Sequence, residues 1–408
     1  MSLDNKTSYF NSTRSFEDYL IDDKIYRSIL MHPAIQRLKG ISFLSTIPIV
    51  MNCREDFSRY DHLLGVSYLA HLSSQKLSLP DEYRKVPILA AMLHDIGHTP
   101  LSHAAETFLL ENRHRYHEGL TTEYLRKIYL SMEGGSRQLL IQAHDLINGI
   151  SNNPIMQSLF SGAICLDTLD GIARSSYSLF LDFVEPTDII EAIYCEKGEA
   201  YFRFESLFLL DQFWICMTNL YSKFIYTNKV LSAEAMLTRA LELTFGNNAN
   251  GCLNLFAQLQ DNEAWKMLLE DKSSAFLIQM IKGKKLFKSL SSIDRGFRNR
   301  IFSQYSSFRF DLTKRKEIEN LVAKEYLVSS VYVILHYSFI LMFRKKHPFD
   351  CNQLDLFDYS YGKDPPLIDV LASYTRARKS GARMEIFLPY HESSRQLEID
   401  FGDKNAKA

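Results

Sequence analysis

The hydrophobic pattern along the chain is mostly helical. Leu63, Val66, Leu69, Ala70 and Leu77 form an apolar stripe at helical spacing through SRYDHLLGVSYLAHLSSQKL, residues 58–77. The continuous apolar run Ile88-Leu89-Ala90-Ala91-Met92-Leu93 reads as a buried helix with Pro87 in its first turn, where a missing N–H costs nothing. Gly97 and Thr99-Pro100 break it, and Thr99 can cap a second helix, from about 100 to 112, with Pro100 as its first residue. Upstream, residues 1–20 read as a loose polar lead-in. Residues 21–41 read as a helical segment broken at His32-Pro33, and 42–57 as a loop or short hairpin. Downstream, Gly134-Gly135 separates helices, 164–180 is apolar at 164, 166, 169 and 172, and 205–245 predicts two amphipathic helices. Residues 250–345 continue helical. The tail, 380–408, alternates in MEIFLPY and QLEIDF and predicts a small strand pair. The fold class is mainly α, with a helical C-terminal lobe and a small β appendage.

Residues 326–343, YLVSSVYVILHYSFILMF, carry no formal charge over 18 positions, the length at which a membrane span must be considered. Ser329, Ser330, His336, Tyr337 and Ser338 dilute the run, so it reads as a buried helix and a candidate subunit contact, with no membrane partner. Composition changes little in this picture. A hydrophobic fraction of 46%, a charged fraction of 23% and a net charge of −1 over 408 residues are those of an ordinary soluble protein. No whole-protein field drives it to nucleic acid or membrane. The six cysteines, at 53, 165, 195, 216, 252 and 351, include no CxxC pair. That spacing and the lack of a signal-peptide core predict reduced thiols and a cytoplasmic protein. Locally, 282–316 holds eleven positive charges against Asp294 and Asp311. A solvated face and a site for a polyanion or nucleotide effector both fit it.

The chemistry concentrates in AMLHDIGHTPLSH, residues 91–103, where His94, Asp95, His98 and His103 follow the apolar run. Charge at the end of a buried helix is costly unless paired, and a divalent cation is an economical partner beside a helix C-terminus. Arg59 and His62, three apart, share a helix face, as do Asp167 and Asp170; Arg174 lies four beyond Asp170, at ion-pair spacing. His62, His94, Asp95 and Asp167 would complete a metal site. Imidazole plus carboxylate suits Mn, Fe, Zn, Ni or Co rather than calcium, with Mg as a phosphate counter-ion. Arg59 would clamp a phosphate bidentately. His103 or His117 would move the proton, with Glu106 or Glu118 fixing the tautomer. His71 reads as structural and His144-Asp145 as a surface pair.

RLKGISFLS (37–45), SRYDHLLGVSYLA (58–70), LHDIGHTPLSHAAE (93–106), YHEG (116–119), LDTLDGIAR (166–174) and FIYTNKV (224–230) resemble the HD-domain phosphohydrolases. Within them the chain is most similar to the deoxynucleoside triphosphate triphosphohydrolases, whose basic stretch KKLFK (284–288) also resembles. The resemblance implies an HD-domain helical fold over 20–230, followed by a helical lobe with short terminal strands over 231–408. It implies His62, His94, Asp95 and Asp167 as metal ligands and His103, Glu106, His117 and Glu118 as the proton-transfer cluster. Arg59, Tyr226, Lys229 and Asp170 fall on the substrate side. The implied reaction takes a (deoxy)nucleoside triphosphate to nucleoside and triphosphate, in a homo-oligomer with a nucleotide effector. An HD-type phosphomonoesterase or phosphodiesterase, and a nucleotide-sensing module without turnover, are the alternatives. Three positions depart from the branch: Phe43 stands where a sugar-contacting glutamine is usual, Gly171 where a tyrosine is usual, and Thr168 where some relatives have a phosphate-binding lysine.

Overall fold

The first helix begins inside the expected lead-in. In α1 (Ser8–Asp22), Tyr9, Phe10, Thr13, Phe16 and Leu20 recur at helical spacing and are buried, while the polar residues between them face water. The structure, a computed structural model, describes residues 8–113, 117–132, 134–246, 255–289, 312–325, 332–336, 339–344, 364–378 and 383–388. Two short helices follow, α2 (Lys24–Leu30) and α3 (Pro33–Gln36), N-capped by Asp23 and His32. A 3-10 turn, Arg37–Gly40, and the single turn α4 (Ile47–Val50) lead to the central helix. The 42–57 stretch is a loop closed by an antiparallel bridge between Ser42 and Ser58.

That central helix is α5 (Arg59–Lys76). A capping box fixes its start: Ser58 Oγ accepts from the Asp61 N–H, and Asp61 Oδ2 accepts from the Ser58 N–H. Buried residues occur all around it, because other helices pack on several of its sides. Helix α6 (Asp81–Leu93) starts earlier than predicted, and Pro87 lies inside it rather than at its first turn. Its first turns are built from DEYRK, with Asp81 and Tyr83 exposed, so no apolar stripe announces them. Helix α7 (Ser102–Arg113) starts later than Pro100, because Leu101 and Ser102 take positive φ of 65° and 45° and keep 99–101 out of the helix.

The chain continues through α8 (His117–Ser131), α9 (Ser136–Ile147), α10 (Pro154–Phe160), α11 (Leu166–Ser178) and α12 (Pro186–Glu191). An antiparallel hairpin, β1 (Ile193–Glu196) with β2 (Glu199–Phe202), precedes α13 (Leu207–Leu220), a π-helical turn at Tyr221–Ile225 and α14 (Asn228–Phe245). Then come α15 (Asp261–Glu270) and α16 (Ala275–Lys282). Helices α1, α6 and α11 pack on α5, and α14 packs on α7 and α16. The body is mainly helical, as the pattern predicts.

The apolar 326–343 run corrects the helical expectation where it is described. It forms β4 (Tyr332–His336) and β5 (Phe339–Arg344), after the short strand β3 (Lys288–Ser289) and helix α17 (Leu312–Glu325). VYVIL and FILMF are dense in β-branched and aromatic residues, which favour pleated strands over helix. After α18 (Leu367–Ser373), β5 pairs with β6 (Tyr374–Arg378), and β7 (Arg383–Leu388) sits between β3 and β4. The MEIFL segment of the expected strand pair runs beside 332–336 and, at its end, 288–289; QLEIDF, its expected partner, lies outside the described residues. Much of the basic run, 290–311, also lies outside them. Arg315 is buried against Glu242 and Glu319, which spends its charge internally. Among the described residues, no helix is long and apolar enough to cross a membrane.

Candidate functional site

The site is built where the N-terminal ends of α5 and α11 meet the C-terminal end of α6. The capping box on α5 sets Arg59 and His62 on its first turns, and α6 ends at Leu93, so His94 and Asp95 leave it into the following turn. Asp167 opens α11 one residue after Leu166; Thr168, one of the departures, caps that helix by accepting the Cys165 N–H at 2.9 Å. Three helix ends thus bring distant residues to one point. His62 Nε2 lies 3.3 Å from His94 Nε2, 3.6 Å from Asp95 Oδ2 and 3.1 Å from Asp167 Oδ1. His94 Nε2 lies 3.6 Å from Asp95 Oδ1 and 4.0 Å from Asp167 Oδ1. His62 is wholly buried and Asp95 nearly so, whereas the Asp167 side chain is 56% exposed and marks the open side.

Hydrogen bonds behind the rings fix their tautomers. The His62 Nδ1–H donates to Asp170 Oδ2 at 2.6 Å, and the His94 Nδ1–H to the Ala91 carbonyl at 2.8 Å. Both Nε2 lone pairs then face each other and the carboxylates, an arrangement that calls for a proton or a cation between them. The ligand-atom spacings are those of donors sharing an ion at about 2.0–2.2 Å, so the donor set fits a transition-metal cation. Burial by itself would lower the His62 pKa, but hydrogen bonds donated to Asp167 and Asp170, and the charges of Asp170 and Asp95, raise it to about 9. Burial would raise Asp95; His98, His94 and Arg59 hold it well below the usual carboxylate range. His62, with a smaller contribution from His94, likewise lowers Asp167 against burial.

A pH dependence follows for the metal-free chain. His62 binds its proton more tightly folded than unfolded, which stabilises the fold fully below its ordinary value of 6.5 and is lost as pH rises through about 9. The melting temperature of stripped protein is expected to fall across that window. Adding Mn²⁺ should flatten the profile, since a bound cation displaces the proton. Thermal melts at stepped pH check this, and identical profiles with and without metal would contradict it.

Asp170 corrects its expected place on the substrate side. It is 0% exposed and lies behind His62, holding His62 Nδ1, Arg174 Nε at 2.6 Å and the Tyr9 hydroxyl at 2.6 Å. The predicted Asp170–Arg174 pair is present, but its task is to hold His62. Tyr9 joins this group from inside the expected lead-in, and the aromatic spacing of α1 is the signal for it. Gly65 allows the close approach, because a Cβ there would lie 1.8 Å from Asp170 Oδ1.

Arg59 is 2% exposed. Nη1 donates to Asp95 Oδ2 at 2.7 Å and Nε to Ser102 Oγ at 3.1 Å, so the bidentate grip expected of it is spent inside the protein; Nη2 has no partner among the described residues. His103 is half-exposed, with Nδ1 3.0 Å from Glu106 Oε2. Its ring meets that of His98 at 4.8 Å, edge to face, and His98 Nε2 is 3.4 Å from Asp95 Oδ1. His98 is thus a buried link between His103 and the cluster that carried no assigned role in the sequence. The His117 backbone opens α8, and the side chains of His117 and Glu118 lie outside the described residues. Tyr226 follows the π-helical turn and Lys229 is exposed at the start of α14. His71 packs at a tilt against Phe16 and Tyr19 and bonds Gln75, and His144-Asp145 is half-exposed on α9.

Two of the departures touch each other. The Phe43 ring lies 4.7 Å from the His62 ring and beneath Arg59, whose Cζ is 4.7 Å from its centroid. A Cβ on Gly171 would sit 3.4 Å from Phe43 Cζ and 3.9 Å from His62 Cε1. Phe43 from the loop therefore fills the room a long side chain on α11 would need. Gly171→Leu is expected to cost about 1–3 kcal/mol by overpacking. Phe43→Ala in the same chain should recover part of it, with a coupling of about 0.5–3 kcal/mol in a urea double-mutant cycle. Strictly additive penalties would show that the two do not share the space.

An HD domain profile matches residues 59–161, a span that opens at Arg59 and contains His62, His94, Asp95 and His103. The chain is 25% identical over 306 residues to a Dictyostelium discoideum protein named deoxynucleoside triphosphate triphosphohydrolase SAMHD1 homolog, covering 63% of this chain and 55% of that one. It spans about half the length of the first curated relatives it matches. A phosphohydrolase structure from Bacteroides thetaiotaomicron superposes with a TM-score of 0.58 at 20% identity, over 76% of this chain and 84% of that one. A hypothetical protein from Aquifex aeolicus gives 0.62 at 16% identity, over 92% and 96%. These two likenesses concern the fold. With the His62, His94-Asp95 and Asp167 geometry already in view, residues 59–161 of the chain form an HD domain.

Proposed function

We propose that the protein is a metal-dependent nucleotide phosphohydrolase, and that its reaction is hydrolysis of a (deoxy)nucleoside triphosphate to nucleoside and triphosphate. The observation that carries the reading is the approach of Asp167 Oδ1 to 3.1 Å from His62 Nε2, beside His94 and Asp95. His62, His94, Asp95 and Asp167 would hold the cation. When bound, it would polarise a phosphoryl oxygen and acidify water for attack. Asp170 and the Ala91 carbonyl keep both imidazoles in the tautomer that presents Nε2. Arg59 keeps Asp95 ionised and oriented. Glu106 orients His103 through Nδ1, which leaves Nε2 to give a proton to the leaving oxygen or take one from water. The likeness to the Dictyostelium protein supports the triphosphate substrate. Homo-oligomerisation and a nucleotide effector at 282–316 belong to the same proposal.

A second reading, a phosphomonoesterase or phosphodiesterase on another nucleotide, draws on Phe43 and Gly171, which place an aromatic ring beside His62. Product analysis separates the two. Purified protein loaded with Mn, Fe, Zn, Co or Ni is incubated with nucleotide panels. Tripolyphosphate supports the first reading; orthophosphate or an opened cyclic nucleotide supports the second. Metal-loaded protein that binds nucleotides and turns none over would overturn both in favour of a sensing module.

A further inference from the structure

Between His98 and His103 the chain makes a turn that L-residues seldom adopt, with Leu101 and Ser102 both at positive φ. Groups from elsewhere in the chain hold each polar end of it. The Leu101 N–H donates to Asp261 Oδ1 at 2.8 Å, and the Leu101 carbonyl accepts from Ser45 Oγ. Ser102 Oγ donates to the Ser42 carbonyl at 2.7 Å and accepts from Arg59 Nε. Asp261 Oδ2 in turn accepts the Ser42 N–H at 2.9 Å. One carboxylate, at the start of α15, therefore ties together the loop that carries Phe43 and the turn that leads into His103. Arg37 makes a companion clasp. Its Nη2 donates to the His98 carbonyl at 2.7 Å and the Ile96 carbonyl at 3.1 Å, and its Nη1 to the Leu259 carbonyl at 3.4 Å. Burial pushes the Asp261 carboxyl up to about 6, the two amides and Arg59 oppose that, and Asp56 adds to it. A partly desolvated carboxylate is kept here, where it joins two segments through their amides.

We propose that Asp261 is a positioning residue for the site: its carboxylate, by accepting the Ser42 and Leu101 amides together, holds the 101–102 turn and keeps the His103 imidazole beside His98. The segment after α14 then sets the rate of the site without touching substrate. The catalytic half of this rests on the phosphohydrolase reading; the structural half does not.

The test compares Asp261→Ala with Asp261→Asn, which retains one acceptor. Each amide bond released should speed exchange of residues 41–45 and 98–104 by about fivefold to tenfold, in both segments for alanine and in one for asparagine. Bound Mn²⁺ should stay at the wild-type level. On any phosphate ester the wild type hydrolyses, kcat should fall by about 10- to 10²-fold in Asp261→Ala while KM holds, because a misplaced His103 affects the transition state and not binding. Unchanged exchange in the two segments, or a wild-type kcat in Asp261→Ala, overturns the proposal. If the alanine variant does not fold, the asparagine variant decides by the same readings. If the wild type hydrolyses no ester, the phosphohydrolase reading fails on its own. Exchange, with NMR contacts between the His98 and His103 rings, then decides the Asp261 role.

Discussion

Replacing Asp167 with alanine is expected to abolish hydrolysis while leaving the fold in place. The two effects separate because of where the side chain sits. Asp167 is 56% exposed, and the ion pairs it makes are with His62 and His94. Exposed pairs contribute about 0–1 kcal/mol, so unfolding in urea should change by no more than that. The loss to the site is far larger. Even an outer hydrogen bond to a metal ligand is worth about 10–100-fold in affinity or activity, and removing a donor outright should exceed it. A drop of about 10³-fold in kcat/KM, or roughly 4 kcal/mol, is expected, together with loss of bound metal measured by elemental analysis. Wild-type rate and metal content in Asp167→Ala would remove Asp167 from the centre. The same substitution should also lower the pH at which His62 loses its proton in the stripped protein, because Asp167 is one of the groups that raise it.

Arg174→Ala is expected to produce the largest loss of stability of any single change at the site. Arg174 is 1% exposed, with Nε 2.6 Å from Asp170 Oδ2, Nη2 3.4 Å from Thr13 Oγ1 and Cζ 4.9 Å from the Phe57 ring centroid. Truncation strands a carboxylate that is 0% exposed and opens a cavity among aromatic rings. Breaking one side of a buried pair costs about 3–5 kcal/mol. Asp170 sits below its ordinary pKa against burial, with Arg174 the leading cause and His62 next. Without Arg174 its carboxyl should rise and take up a proton, and His62 Nδ1 then loses an ionised partner. Weaker metal binding, by about 10–100-fold, should accompany the lost stability. Arg174→Lys keeps the charge without the planar fork and should fall between the two. Urea unfolding and metal titration on both variants check this; a metal affinity unchanged in Arg174→Ala would show that Asp170 does not govern His62.

What could be read from the chain alone was whatever is encoded locally. The apolar run before His94-Asp95, the three-residue step from Arg59 to His62, and the Asp170–Arg174 spacing are short-range patterns, and helices convert such spacing directly into shared faces. The charged cluster could be recognised as a site because buried charge needs a partner wherever it occurs. The misreadings have the same origin. Residues 326–343 are apolar without a clear period, and such a run does not distinguish helix from strand; the partners of β4 lie 47 to 55 residues downstream and those of β5 30 to 39. The start of α6 and the aromatic face of α1 were masked by polar residues that only packing sorts into inside and outside.

The helical class, the candidate donors and the helix ends that carry them were legible in the residues alone, because capping and periodicity act over a few positions. It took the packed fold to place Asp170 and Tyr9 behind His62, Phe43 in the space left by Gly171, and Asp261 on the turn before His103. Those contacts join residues up to 161 positions apart. Their geometry is set by how helices pack, and no local pattern of residues records it.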